Sequence, residues 1–323
     1  MNKKQTTLFG RVSEEEQVKL GKLVIEDKQE IERYKIQEIK NKIILGDALK
    51  VLKKIDNEIF DMVFIDPPYF LQLPNKILRR WNVKTIVEGV NDAWDKFSSF
   101  QEYDDFITKL LSEVKRVMKS TATLWVIATY HSIFRIGKIM QDLGYWILND
   151  VIWVKTNPMP NWLSVRFTNA TETLIWAVKD KHVKGYTFNK EYAKKFGIGR
   201  VGANVWVLPI CQGNERLKDE NGEKLHSAQK PIELLKRVIL TSTKEGDLIL
   251  DPVAGTGTTG YVAQALKRDF VMVETNPKYV KGIVKRFEYQ LKISDSPLPS
   301  KEDVSNYINL EESEWTIKNS VRY

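Results

Sequence analysis

Four short apolar runs in this chain end on an acid or on Gly-Asp, and helical patterns lie among them. Lys42-Ile43-Ile44-Leu45 ends at Gly46-Asp47, and Asp61-Met62-Val63-Phe64-Ile65 ends at Asp66. Asp247-Leu248-Ile249-Leu250 ends at Asp251, and Phe270-Val271-Met272-Val273 ends at Glu274. Apolar runs this short, bounded by turn residues, suit buried strands. Amphipathic spacing predicts helices over 101–118, 131–143, 230–243 and 258–267, with further strands over 122–128, 145–154 and 173–178. Strands alternating with helices predict an α/β fold built on a doubly wound, mostly parallel sheet. Such sheets bind ligands at the carboxyl ends of their strands, which is where Asp66, Asp251 and Glu274 stand.

The 323 residues suffice for one large α/β domain with a small appended module, or for two domains. Lys plus Arg is 50 against 42 Asp plus Glu, a net charge of +8, and this balance points to a polyanionic partner. The 9 Trp, 12 Tyr and 13 Phe suit stacking on bases, although core packing accounts for most of them. No apolar run approaches the roughly 18 residues of a membrane span. The opening Met1-Asn2-Lys3-Lys4-Gln5 leads into polar sequence, so no secretory signal is expected and the expected location is the bacterial cytoplasm, at the nucleoid. The lone Cys211 permits no intramolecular disulfide and is expected to be a spectator thiol in a reducing compartment. With 3 His and 1 Cys no zinc-like ligand cluster emerges, and no metal is expected.

Residues 13–40 are dense in Glu, Lys and Gln, with Leu20, Leu23, Val24, Ile31 and Ile39 loosely at helical intervals. This spacing predicts a charged, largely solvated helical arm over 1–40. One domain over 41–291 follows, then a polar tail over 292–323. Within that domain, 71–100 reads as a long basic and polar loop, and 180–228 is rich in Lys, Gly, Asn and Tyr. Long loops in compact domains are usually functional or disordered.

The turn after Asp251 is Gly255-Thr256-Gly257-Thr258-Thr259-Gly260. Its glycines let the backbone approach a ligand and open a helix. The spacing matches G-x-G-x-x-G, and Glu274 follows where a ribose-binding acid belongs, so nicotinamide and S-adenosylmethionine enzymes fit equally. A phosphate-cradling P-loop is excluded because no Lys follows the glycines. Asp66-Pro67-Pro68-Tyr69 separates the two readings. The exocyclic amine of a base is a poor nucleophile, because its lone pair is delocalised into the ring. Hydrogen-bond acceptors that draw the nitrogen towards tetrahedral geometry make it reactive, and the Asp66 carboxylate and Pro67 carbonyl are two such acceptors. The adjacent prolines fix φ and remove competing N–H donors, and the Tyr69 ring can stack on a base rotated out of a duplex. The plain alternative is a tight Pro-Pro turn closing a strand, with Tyr69 in the core.

A longer series of motifs runs in a fixed order. It comprises Asp66-Pro67-Pro68-Tyr69-Phe70, Trp94-Asp95-Lys96-Phe97, Trp146-Ile147-Leu148-Asn149-Asp150-Val151-Ile152-Trp153 and Lys155-Thr156-Asn157-Pro158. Arg166-Phe167, Asn169-Ala170, Asn204-Val205-Trp206, His226-Ser227-Ala228-Gln229-Lys230-Pro231 and the Asp251-Pro252 turn follow. Over about 41–290 the chain resembles the β-class DNA amino-methyltransferases, in which the tetrapeptide precedes the glycine turn. Within them it is most similar to the HinfI type and its cell-cycle-regulated relatives, which modify adenine in GANTC.

The resemblance implies a Rossmann-like methyltransferase domain with circularly permuted motif order and a small target-recognition insertion over about 156–228. It implies S-adenosylmethionine as cofactor, duplex DNA as substrate, and methylation of adenine N6 with base flipping and no covalent intermediate. Relatives acting on cytosine N4 more often carry Ser in place of the first Asp. Asp66, Pro67, Pro68 and Tyr69 would form the catalytic turn. Asp251, Pro252, Gly255, Gly257, Thr258 and Thr259 would cradle the methionine end of the cofactor, and Glu274 would take its ribose hydroxyls. Asp47 and Ala48 would meet its adenine, and His226, Gln229 and Lys230 would line the same pocket beside Asp66. Arg79, Arg80, Lys155, Asn157 and Arg166 would contact DNA. A homodimer and a cognate restriction endonuclease are further expected partners, with an orphan enzyme as the alternative. The chain departs from the family at Val253-Ala254, where an aromatic usually follows Asp-Pro, at Thr171-Glu172, where His-Glu usually stands, and in its shorter C-terminal region.

Overall fold

Side chains alternate across each strand, so every buried strand feeds two cores. In the computed structural model, which describes residues 20–71, 77–78, 86–87, 95–160, 165–195 and 202–288, that alternation organises the whole domain. β1 (Val24–Glu26), β2 (Lys42–Leu45), β3 (Phe60–Ile65), β6 (Met118–Ala128), β7 (Trp146–Lys155), β8 (Thr171–Val178), β9 (Val205–Leu208), β10 (Leu248–Asp251) and β11 (Asp269–Glu274) form one sheet. Its order is β1-β2-β11-β10-β3-β6-β8-β7-β9. A separate two-residue antiparallel ladder joins β4 (Ile77–Leu78) to β5 (Ile86–Val87). In the sheet, Val63 and Ile65 of β3 join a core with α1 (Ile36–Ile39), α2 (Ala48–Lys53), α3 (Phe100–Val117) and α4 (Ile133–Asp142). Met62 and Phe64 face the other way, onto α6 (Ile232–Ser242), α7 (Thr258–Ala265) and α8 (Pro277–Glu288). A short α5 (Lys190–Ala193) lies between β8 and β9 in the chain. Helices on both faces explain why the strands read as continuous apolar runs.

The helix boundaries follow from side-chain chemistry. Ser99 caps α3 by accepting from the Glu102 N–H, and that helix buries Tyr103, Ile107, Leu110, Leu111 and Val114 along one stripe. Asp47 caps α2 by accepting from the Lys50 N–H.

One expectation changes. Residues 20–40 are not a solvated helical arm: β1 pairs in parallel with β2, Val24 opposite Ile43, and Ile39 is fully buried. Leu20, Leu23 and Val24 pack on one core while Ile31 and Ile36 pack on the other, so their loose spacing reflects a strand and a turn rather than one helical stripe. Within the region 156–228, β8 and β9 are strands of the main sheet.

Direction matters for the site. All neighbouring pairs from β1 to β6 are parallel, whereas β8 runs antiparallel to both β6 and β7. The reversed strand therefore starts at the edge where the others end. Asp66, Asp251 and Glu274, at the ends of β3, β10 and β11, meet Glu172 at the beginning of β8 there. The chain leaves β3 towards β6 and leaves β10 towards β11, which makes the β3–β10 boundary the switch point at which such sheets bind ligands.

Candidate active site

At that edge a cavity of about 310 Å³ opens, lined by Asp47, Ala48, Asp66, Pro67, Pro68, Tyr69, His226, Gln229, Lys230, Asp251, Pro252, Gly255, Thr258, Thr259 and Glu274, among others. All the residues expected at the cofactor line it except Gly257. That glycine caps α7 with φ +67°, and a Cβ on it would lie 2.6 Å from Cγ2 of Ile283. Its missing side chain serves the packing of α7 against α8. Gly255, at φ +54°, does face the cavity, beside His226.

The cofactor side is held by backbone donors. Glu274 accepts from the Gly255 N–H and the Asn276 N–H, both at 2.8 Å. Asp251 accepts from the Thr259 hydroxyl at 2.5 Å and from the Val253 N–H at 3.2 Å. Asp47 has one oxygen committed to its helix cap at 3.0 Å and still lines the cavity, so it is strand-end turn and pocket wall at once. Beneath the turn, Arg286 of α8 donates to the Thr258 hydroxyl at 2.6 Å. Gln229 spans the Leu217 N–H and the Glu215 carbonyl, at 2.9 and 2.8 Å, and so fixes the loop that carries Lys230.

Burial pushes both Asp251 and Glu274 up to about 7. A raised carboxyl favours the protonated fold, so its contribution is complete below the unfolded value and is lost as pH rises towards 7. Glu274 starts from 4.5 and reaches about 7, which corresponds to about 3 kcal/mol. Urea unfolding of Glu274→Gln is expected to show a shallower fall in stability between pH 4.5 and 7 than the parent chain. Parallel pH curves for the two would refute it.

The tetrapeptide side is a network of buried charges. The Tyr69 hydroxyl donates to Asp66 at 2.7 Å and lies 3.2 Å from Glu172. Lys230 donates to Asp66 at 2.8 Å and lies 3.7 Å from Glu172, and Lys155 pairs with Glu172 at 2.9 Å. The Lys230 ammonium also sits 5.1 Å from the Tyr69 ring centroid. Burial pushes Asp66 above the usual carboxylate range, opposed by Lys230. Glu172 is more deeply buried, but Lys230 and Lys155 together outweigh that and hold it below its usual range. The network thus sets the two carboxyls apart, with Asp66 raised and Glu172 lowered.

The turn itself is clamped from below. Asp95 accepts from the Tyr69 and Phe70 N–H groups at 2.7 Å each and from Leu71 at 2.9 Å. Phe70 has φ +52°, a left-handed conformation unfavourable for an aromatic residue. Its ring packs against Phe97, Phe100 and Tyr103, at 5.6, 5.1 and 5.9 Å between centroids. The Tyr103 hydroxyl donates to the Pro68 carbonyl at 2.8 Å. Strain held this firmly fixes where Asp66 and Tyr69 point.

The expected DNA contacts divide. Lys155 is no surface cation: its side chain is 10% exposed and pairs with Glu172, so it belongs to the buried network. Asn157 donates to Gln212 at 2.6 Å and accepts from the Ile210 N–H at 2.8 Å, so its amide fastens the segment after β9 to the end of β7. Arg166 is exposed and donates to the Tyr130 hydroxyl at 2.8 Å. Arg79 and Arg80 lie outside the described residues. Cys211 is buried, which pushes its thiol up to about 11 and leaves it inert. Among the described residues no cluster of His, Cys, Asp and Glu suits a metal, and no helix is long and apolar enough to cross a membrane.

Glu172 and Asp95 are the working residues that sequence reasoning passed over. Both stand in quoted motifs, beside Lys96-Phe97 and at Thr171-Glu172, but only the reversed strand and the folded turn reveal what they touch.

A family model described as DNA methylase matches residues 60–286. The chain is 49% identical over 251 residues to the Type II methyltransferase M.HinfI of Haemophilus influenzae, covering 78% of this chain and 69% of that protein. It is 38% identical over 244 residues to the Type II methyltransferase M2.LlaDCHI of Lactococcus lactis subsp. cremoris, covering 76% and 88%. Among solved structures, the PvuII DNA methyltransferase, titled cytosine-N4-specific, aligns with a TM-score of 0.58 at 20% identity, over 83% of this chain and 91% of that one. The M1.HpyAVI–SAM complex aligns with a TM-score of 0.54 at 23% identity, over 76% and 97%. At these identities the two structures speak for the fold. Motif order, site and matches agree, and the chain belongs to the DNA methylase family.

Proposed function

We propose that this chain transfers the methyl group of S-adenosylmethionine to N6 of adenine in duplex DNA, within GANTC or a related site. DNA methylation is the activity of the family, and S-adenosylmethionine is its methyl donor. The choice of adenine rests on the Asp66 carboxylate at the head of the catalytic turn and on the 49% identity to M.HinfI.

The cavity residues fit that cofactor. Glu274, oriented by two backbone donors, would accept from ribose hydroxyls, Asp47 and Ala48 would flank the adenine, and the turn of Gly255, Thr258 and Thr259 would hold the methionine end beside Lys230. When bound, the cofactor supplies an electrophilic methyl whose carbon–sulfur bond breaks as the carbon–nitrogen bond forms. Asp66 and the Pro67 carbonyl accept from the amine and sharpen its lone pair. Lys230, 2.8 Å from Asp66, offsets the burial of that carboxylate, which would accept the proton that leaves the methylated nitrogen. Tyr69 lines the same cavity and would pack on the extruded base. Both relatives are Type II methyltransferases, so a restriction endonuclease reading the same site is a fitting partner.

Incubation with duplex DNA and tritiated S-adenosylmethionine, followed by digestion to nucleosides, is expected to place the label in N6-methyladenine. Label in N4-methylcytosine would replace this reading with the cytosine one. Sequencing of methylated sites in expressing cells gives the recognition sequence.

A further inference from the structure

The loop between β7 and β8 carries a side chain that nothing in the fold explains. Phe167 is 99% exposed and Val165 is 77% exposed, at the edge of the sheet that holds the active site. An isolated exposed apolar residue is common, but this one has company. Tyr130 is 45% and Phe134 78% exposed on the neighbouring segment after β6, and Arg166 ties the two segments together through the Tyr130 hydroxyl. Clustered aromatic exposure beside an arginine marks an interaction surface.

Two observations relate this surface to the catalytic turn. Tyr130 stacks on His131 with 4.0 Å between centroids, and His131 feels the charges of both Arg166 and Asp95. Asp95 in turn holds the backbone of Tyr69 and Phe70. On the other side, Glu172 follows Phe167 by five residues and meets the Tyr69 hydroxyl at 3.2 Å. Five residues span at most about 18 Å, roughly half a turn of duplex at about 34 Å per turn. Phe167 therefore stands within reach of a duplex whose target base enters the cavity.

Rotating one base out of a duplex leaves a gap in the stack and an orphaned partner base. Apolar and aromatic side chains inserted between base steps hold such distortions open. We propose that Phe167 is the wedge that occupies the stack position vacated by the target base, with Arg166 bracing its loop against Tyr130. Phe167 is a positioning residue: it touches DNA next to the target and not the reacting atoms. The inference rests on the flipped-base reading above and adds the residue that keeps the base out.

The test compares two duplexes carrying the methylated sequence, one fully paired and one with the target base opposite an abasic site, where extrusion costs little. On the paired duplex, Phe167→Ala is expected to lose about 10- to 100-fold in kcat/KM, the scale of one base–aromatic stack. On the abasic duplex it is expected to come within about threefold of the parent, and Phe167→Trp to retain parental turnover on both. Fluorescence of 2-aminopurine at the target position is expected to rise on binding the parent and to stay low with Phe167→Ala. Equal losses on both duplexes, or no loss on either, overturn the wedge. So does a parent dimer that Phe167→Ala converts to monomer in sedimentation, which assigns the patch to a second copy of the chain. A parent that methylates no duplex at all takes the flipped-base reading down with it, whereas an active parent with an indifferent Phe167→Ala removes the wedge alone.

Discussion

Replacing Asp66 by Ala is expected to cut methyl transfer to duplex DNA by about 1,000-fold while the chain stays folded. Removing one preorganised partner of a reacting group commonly costs about 100- to 1,000-fold, and in the proposed reaction Asp66 would serve both as acceptor for the amine and as first holder of its proton. The fold survives because Lys230, released from its 2.8 Å contact with Asp66, keeps Glu172 at 3.7 Å. Tritium transfer gives the turnover, and circular dichroism with thermal melting reports the fold. Turnover within tenfold of the parent would remove Asp66 from the chemistry.

Glu172→Ala is expected to act first on stability. It strips the counter-charge from Lys155, whose partner lies at 2.9 Å, and weakens the hold on Lys230; the two lysine side chains are 10% and 6% exposed. Breaking a buried pair by removing one member costs about 3–5 kcal/mol, because the remaining charge is left uncompensated. Combining the change with Lys155→Met removes the orphaned ammonium and is expected to recover about half of that loss. Urea unfolding of the single and double variants measures both. A loss below about 1 kcal/mol for Glu172→Ala would mean that water reaches these lysines and that the network is not buried.

Much of this was legible before the fold was seen, for identifiable reasons. Acid at the end of an apolar run is a local signal, and Asp66, Asp251 and Glu274 all stand at one edge of the sheet as that signal implied. Helices α3 and α7 start within one residue of their expected positions because capping and glycine chemistry are local as well. The losses came where meaning depends on partners distant in sequence. Lys155 and Asn157 look like surface groups in a polar stretch, but a reversed strand brings Glu172 to the first and the segment after β9 brings Ile210 and Gln212 to the second. Gly257 looks identical to Gly255 in the motif, and only the position of Ile283 shows that it serves helix packing. The stretch 20–40 misled through composition: its charges are real, yet Val24, Ile25 and Glu26 complete a sheet edge that no periodicity announces.

The order of strands also bears on how the molecule comes into being on the ribosome. The half of the sheet that would hold the cofactor is stitched from both extremities of the described chain, with Val24 against Ile43 and Ile43 against Met272. The half that carries the catalytic turn, from β3 through β9, is drawn from one uninterrupted stretch between them. Contacts between segments so far apart close slowly, because the entropy of the intervening loop must be overcome first. During synthesis the apolar strands β2 and β3 therefore wait without their central neighbours until β10 and β11 emerge, exposed to the mispairing that unpartnered strands invite. A nascent chain of this arrangement acquires its catalytic turn early and its methyl-donor pocket last, so it cannot modify DNA before nearly the whole domain has left the exit tunnel.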